Sequence, residues 1–235
     1  MKSQKDCLNN RKTIQIRGWY MVYSQQKKFL FIHIQKTAGT TIRKVLLAAT
    51  DDAKWLDGHY ATHLSASWAR MRLGIDHFSD LKTFAFVRNP FDRLVSWWAD
   101  IKNSEKDLPG EDALPLAHEP NVLRLDVLKN CTSFEDFILY APSRCSHEIA
   151  PWFSRNQLDW LSDRGNNILV KRIGRFENFQ EEFLAILRWL NIENSELPYE
   201  NKVEHKHYRD HYSSRMQKEV AQRFQRDLIY FGYQF

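Results

Sequence analysis

Long apolar runs are missing from this sequence. No stretch approaches the roughly 20 apolar residues that a membrane-spanning helix needs, and the first residues are polar and charged, without the apolar core of a signal peptide. The expectation is a soluble chain with no membrane span. Cysteine is scarce: Cys7, Cys131 and Cys145 show no metal-like pairing. This suits a reducing compartment, with no Cys131–Cys145 bridge. Internal repeats and low-complexity tracts are absent, so solenoid and fibrous architectures drop out. Also absent is Gly-x-x-x-x-Gly-Lys-Ser/Thr, the ordinary phosphate loop of nucleotide triphosphatases.

What is there starts with size. At 235 residues and 43% hydrophobic content, the chain can bury one sizeable core. A single domain over residues 1–235 is expected, with the polar, patternless residues 1–20 as an extended arm. The formal net charge of +5 favours anionic partners, yet so modest an excess is common on solvated surfaces and decides nothing alone. The basic residues are scattered among acids and no nucleic-acid motif is visible, so nucleic acid is not an expected partner.

Two stretches share one design. Phe29-Leu30-Phe31-Ile32-His33-Ile34 reads as a buried strand, Gln35-Lys36-Thr37-Ala38-Gly39-Thr40-Thr41 as a turn, and Ile42, Val45 and Leu46 as the apolar face of a helix. Such a turn aims backbone N–H groups and the positive end of a helix dipole at one point, with hydroxyls and an ammonium beside it. It suits phosphate. The second stretch is Thr83-Phe84-Ala85-Phe86-Val87-Arg88-Asn89-Pro90-Phe91-Asp92-Arg93-Leu94-Val95-Ser96-Trp97-Trp98, again strand, polar turn and amphipathic helix with Pro near its first position. Arg88 at the strand end and Ser96 about two turns into the helix can face one phosphate. Asp92 falls in the first helical turn, where negative charge is favourable, and Arg93 reads as a solvated or structural ion-pair partner.

Together the stretches resemble the sulfotransferases that use 3′-phosphoadenosine-5′-phosphosulfate (PAPS), in the family that includes heparan sulfate 2-O-sulfotransferases and bacterial relatives. That family's pattern is close to Phe-Ile-His-Ile-Pro-Lys-Thr-Ala-Gly-Thr-Ser, then Phe-Val-Arg-Asn-Pro-aromatic-Asp-Arg-Leu-Val-Ser. Here Gln35 replaces the Pro and Thr41 the Ser. The resemblance continues through Arg175-Phe176-Glu177-Asn178 to the segment Asp227–Phe235. It implies an α/β fold, a central parallel sheet flanked by helices of the P-loop-like sulfotransferase type. It implies PAPS as donor and PAP as product, with no metal. Lys36 would contact the 5′-phosphosulfate and stabilise the departing phosphate, Thr37, Ala38, Gly39, Thr40 and Thr41 would supply backbone or hydroxyl donors, and Arg88 and Ser96 would take the 3′-phosphate. Asn201 with Tyr208-Arg209 is similar to a segment that closes over the nucleotide in relatives, which makes Arg209 a further cofactor residue.

The acceptor hydroxyl must lose its proton, and imidazole titrates near neutrality. The resemblance offers His63, before a short small-residue stretch and a helix, and His59, in a Gly-His-aromatic pattern. His63 is preferred to His59. His33 follows the strand alternation and reads as a core or sheet-face residue. His205, His207 and His211 sit in a polar segment that suits an anionic ligand better than a metal. Trp97, Trp98, Trp152, Trp160 and Trp189 read mostly as core.

The remaining pattern predicts a hairpin from Trp19 to Ile34, a loop over 51–57, a helix over 64–73 stopped by Gly74, and a loop over 106–120. It also predicts a helix from Ser133 to about Tyr140 ended by Pro142, a third strand over Asn167–Val170, a helix capped by Asn178 and ending near Leu190, and a last helix from Ser213 to Leu228. The reading is direct in-line transfer of a sulfuryl group to a hydroxyl of a carbohydrate or small metabolite. A bacterial cytoplasmic enzyme fits better than a truncated Golgi-lumenal domain. The alternatives are N-sulfation of an amine, a nucleotide-dependent kinase on a related fold, and a nonenzymatic polyanion binder. For the kinase, Arg88 stands where a magnesium-binding acid would be expected.

Overall fold

The computed structural model describes residues 21–56, 65–105, 120–147, 150–193 and 207–235. Strands apolar on both sides belong in the middle of a sheet covered on two faces, and two such strands are its centre. β1 (Val22–Ser24) and β2 (Phe29–Ile32) form the expected hairpin, with Val22 opposite Phe31. β4 (Lys82–Val87) lies parallel to β2, and β5 (Arg172–Arg175) lies parallel to β4. The two-residue β3 (Lys54–Trp55) adds antiparallel to β1, giving the order β3-β1-β2-β4-β5. The expected parallel centre is therefore present inside a mixed sheet. The loop predicted over 51–57 is corrected by β3, a strand too short to show a period.

Alternation along the strands sorts the packing. Phe29, Phe31, Phe84 and Phe86 face α1 (Gly39–Ala48) and the late helix Phe179–Trp189, in one cluster with Ile42, Leu46, Phe183 and Leu187. Leu30, Ile32, Ala85 and Val87 face the opposite way, toward α2 (Ala66–Leu73) and α3 (Ile75–Asp80), through Ala69 and Phe78. A third cluster lies among helices alone. It joins α4 (Pro90–Asn103), α5 (Pro120–Asn130), α6 (Phe134–Arg144) and α7 (Ala150–Ser154) through Trp97, Val127, Phe137 and Phe153. The short α8 (Leu158–Leu161) precedes β5, and α9 (Phe179–Trp189), α10 (Ser214–Arg223) and α11 (Gln225–Phe231) complete the order.

Several boundaries differ from expectation, each for a physical reason. The third parallel strand is Arg172–Arg175, at the sheet edge, while Ile168 in the predicted segment makes only an isolated bridge to Ser162. Gly174 permits the pairing, because a Cβ there would meet the Phe86 ring at 2.6 Å. Pro120, expected in a loop, opens α5. Ser133 caps α6 by accepting from the Asp136 N–H, as predicted, but the helix runs past Pro142 to Arg144. Proline cannot donate to the carbonyl four residues earlier, and here Arg223 Nη2 donates to that Ile138 oxygen at 2.6 Å. Asn178 stands at the α9 N-cap without a side-chain capping bond. The last helix is two, broken at the buried Phe224, where Asn156 Nδ2 satisfies the Arg223 carbonyl at 3.1 Å. Cys131 and Cys145 are buried free thiols, as expected. Among the described residues, no helix is long and apolar enough to cross a membrane.

Candidate active site

Because β2, β4 and β5 are parallel, their carboxyl ends lie along one edge of the sheet, where ligands of open α/β sheets bind. Three turns meet there: 33–38 after β2, 88–89 after β4, and a single 3-10 turn, Phe176–Asn178, after β5.

The first turn owes its shape to the backbone. Lys36 (φ 66°) and Ala38 (φ 65°) both adopt the left-handed region, which costs roughly 1–2 kcal/mol for a residue with a Cβ. The Thr37 hydroxyl, fully buried, donates to the Ile34 carbonyl at 2.8 Å and so shapes the turn from inside. Gly39 lies directly on the buried His33 ring. A Cβ there would come within 1.9 Å of Nε2, so no other residue fits without displacing the ring. Burial, with Arg43 and Lys36 nearby, holds His33 well below the usual imidazole pKa, and the ring stays neutral. It stacks on Phe31, in keeping with its expected place on the sheet face. Ala38 offers no side-chain cap to α1, so the first N–H groups, at Gly39, Thr40 and Thr41, point out of the helix end without a capping oxygen. Thr40 is exposed and Thr41 half-buried at that end.

Lys36 leaves this turn toward α4. Its ammonium lies 3.3 Å from Asp100 Oδ1 and 5.6 Å from the Trp97 ring centre. Burial lowers its pKa, Asp100 opposes the lowering, and Arg88 and Arg124 add to it.

The second turn is braced by side chains. Arg88 N–H donates to Gln157 Oε1 at 2.9 Å, and Gln157 Nε2 donates back to the Arg88 carbonyl at 2.8 Å. Asn89 caps α4 by accepting from Phe91 N–H, its own N–H donates to Glu177 at 2.6 Å, and its Nδ2 donates to the Gln234 carbonyl at 2.8 Å. The Arg88 guanidinium lies 4.0 Å from the Phe176 ring centre, donates through Nε to Asp92 at 2.7 Å, and reaches the Lys36 carbonyl through Nη1 at 3.2 Å. Among the described residues, its Nη2 amine has no hydrogen-bond partner.

Arg93 is not solvated, as one expectation had it. It is buried beneath both turns, donating to the Gln35 carbonyl and to the Trp152 carbonyl at 3.1 Å each, and burial pushes its pKa down to about 10. Ser96 is half-buried on the α4 stripe of Asp92, Ser96 and Asp100, one turn from the carboxylate that holds Arg88 and one turn from the carboxylate that holds Lys36.

The structure thus brings together Lys36, Thr37, Ala38, Gly39, Thr40, Thr41 and Arg88, with Ser96 on the adjoining helix face. Arg209 stands apart in the hydrogen-bond network. Its Nη2 donates to the Phe235 carbonyl at 2.8 Å, while its neighbour Tyr208 touches Asn89 at 3.3 Å. His59, His63 and Asn201 lie outside the described residues, as does His205. Among the described residues, no group of three or more His, Cys, Asp or Glu side chains is placed to hold a metal ion. Four site residues escaped the sequence reading: Asp100, Arg124, Gln157 and Glu177. Asp100 continues the spacing of Asp92 and Ser96, a signal present in the sequence. Arg124 arrives from a distant segment and carries none, whereas Glu177 lies in the Arg175–Asn178 stretch that the resemblance covers and Gln157 in a segment similar to one near the acceptor cleft of relatives, neither with a role assigned.

With this geometry established, comparison with known proteins adds one finding. The model of the sulfotransferase family matches residues 19–234, so the chain belongs to that family and is a transferase. No curated protein and no solved structure matches it.

Proposed function

We propose that this sulfotransferase-family chain takes the sulfuryl group from PAPS and delivers it by in-line displacement to a hydroxyl, on a carbohydrate or a small hydroxylated metabolite. One observation carries the reading. Arg88 Nη1 is bonded to the Lys36 backbone carbonyl and its charge acts on the Lys36 ammonium, so two cations from the turns after adjacent parallel strands converge beside an uncapped helix start. The donor set fits the two anionic ends of PAPS, which would supply the sulfuryl group. Both cations are tethered at one side, Lys36 to Asp100 and Arg88 to Asp92, with N–H donors left over.

Each residue then has a physical task. The α1 amides and the Thr40 and Thr41 hydroxyls hold 5′-phosphate oxygens. The Lys36 ammonium neutralises charge that grows on the leaving oxygen, where preorganised charge counts most. Arg88, held over the Phe176 ring, presents its remaining fork to the 3′-phosphate, with Ser96 one turn beyond Asp92. His63, or else His59, is assigned the acceptor proton by its titration range, and Arg209 a place at the nucleotide's edge by its likeness to relatives.

The test is calorimetric titration with PAP, 5′-AMP and ATP on the wild type and on Arg88→Ala. PAP is expected to bind most tightly and to weaken about ten- to a hundredfold in the variant, the worth of a charged hydrogen bond. Equal or tighter ATP binding would overturn the reading in favour of a kinase. No nucleotide binding, with salt-dependent retention on a sulfated polymer, would point to a polyanion binder.

A further inference from the structure

Lys36 does not stand alone on its side of the site. Asp100 presents one carboxylate oxygen to the Lys36 ammonium at 3.3 Å, and its other oxygen accepts from Arg124 Nη2 at 3.0 Å and Nε at 3.3 Å. A single carboxylate therefore bridges the turn after β2 to a residue of α5, which the sequence places far from any phosphate motif. We propose that Asp100 is the positioning residue of Lys36, fixing the ammonium and keeping it charged, and that Arg124 sets how strongly Asp100 does so.

Electrostatics link the three side chains. Trp97 covers one side of the Lys36 ammonium and gives it little solvation, so burial works against its charge. The charged groups that face it are Asp100 from α4, Arg88 from the end of β4 and Arg124 from α5. Two are cations. Among the described residues only Asp100 favours the protonated form, and it is shared with Arg124, so the two neighbours must act on Lys36 with opposite sign. The second tether, between Arg88 and Asp92, joins residues four apart at the start of α4 and draws on no distant residue. The Lys36 tether alone of the two makes the site's charge depend on α5.

The catalytic consequence rests on the function proposed above, but the test has a readout that does not. Trace acetylation of the intact protein across about pH 7 to about pH 11, read by mass spectrometry at Lys36, gives the pKa of that amine, whose ordinary value is about 10.4. The side chain is 20% exposed, enough for a small reagent. Asp100→Asn is expected to lower the Lys36 pKa by at least about one pH unit, as loss of an opposite charge at this distance does. Arg124→Gln is expected to raise it. In sulfuryl transfer, kcat of Asp100→Asn should fall at least about tenfold with the KM for PAPS little changed. The alkaline limb of its pH profile should move down with the amine, and Asp100→Glu should recover part of the loss. Shifts of the same sign in the two variants, or no shift in either, overturn the proposal. If Asp100→Asn does not fold, Arg124→Gln decides alone: a raised Lys36 pKa supports the proposal and an unchanged one ends it. Failure of PAP to bind the wild type would sink the sulfotransferase reading and leave the labelling result standing.

Discussion

The turns after β2 and after β4 solve the same problem by different means. Both join a buried strand to an amphipathic helix and both present a cation. The first is shaped locally: two left-handed residues, a threonine hydroxyl turned onto its own backbone, and a glycine pressed on the ring of His33. Its helix start has no side-chain cap. The second has an Asn cap, Pro at the first helical position, and braces from Gln157, Glu177 and Gln234, all of them remote in sequence. A turn shaped by its own backbone can leave its amides free for a ligand. A turn shaped by remote side chains can hold one guanidinium in a set plane.

Gly39→Ala attacks the first turn where it is least tolerant. The added methyl would stand 1.9 Å from His33 Nε2, so ring and turn must separate. The expected cost is about 3 kcal/mol of stability by urea unfolding, with PAP binding lost. The companion His33→Ala removes the obstacle. The double variant should then regain at least about 1 kcal/mol over the sum of the singles. Additive losses would mean that the contact does not shape the turn.

Gln157→Leu attacks the second turn from a distance. It keeps the bulk but leaves the Arg88 N–H and carbonyl without their partner, and removes a bond to the buried Asp227. About 2 kcal/mol of stability should go, with about a tenfold loss of PAP affinity. Lys36 labelling should stay as in the wild type, because its tether runs through Asp100. A Lys36 pKa altered in this variant would dissolve the distinction between the two turns.

The same difference explains what the sequence could tell. The turn at 33–39 and its flanking strand and helix are local, so Phe29–Ile32, Lys36 and the start of α1 could be read directly. Pro90 and Asp92 likewise marked the start of α4. Strand β5 could not be read. As an edge strand it is polar, with Arg172 and Arg175 exposed, and its place is set by its fit beside Phe86 and not by its own pattern. Pro142 misled because a side chain from α10 supplies the partner that its neighbour carbonyl lacks. The Phe224 break was hidden because both halves are amphipathic and the stop comes from Asn156 and Asp227 contacts across the fold. In the site, the cations were legible, and of their braces only Asp92 and Asp100 left a trace, in the four-residue spacing along α4. An arginine at 124 and a glutamine at 157 look like surface residues until the fold brings them to the turns.

A pH-dependent effect tests what lies beneath the first turn. His33 is buried, and its folded pKa sits well below the usual imidazole value, chiefly through burial and then through Arg43 and Lys36. In the unfolded chain it takes a proton below about pH 6.5, while in the folded protein it does not. The unfolded state therefore binds more protons over that range, and stability must fall as the solution is acidified through it. The slope from this one group approaches about 1.4 kcal/mol per pH unit. Urea midpoints from about pH 7.5 to about pH 5 should drop more steeply for the wild type than for His33→Gln, whose amide does not titrate. Carboxylates such as Asp52 and Asp163, which are hydrogen-bonded and shifted down, are common to both proteins and titrate at lower pH, so they cancel in the difference. Parallel profiles would show that the imidazole accepts a proton in place. The turn would then rest on a cation, and Gly39 would be pressed against a charge and not against a neutral ring.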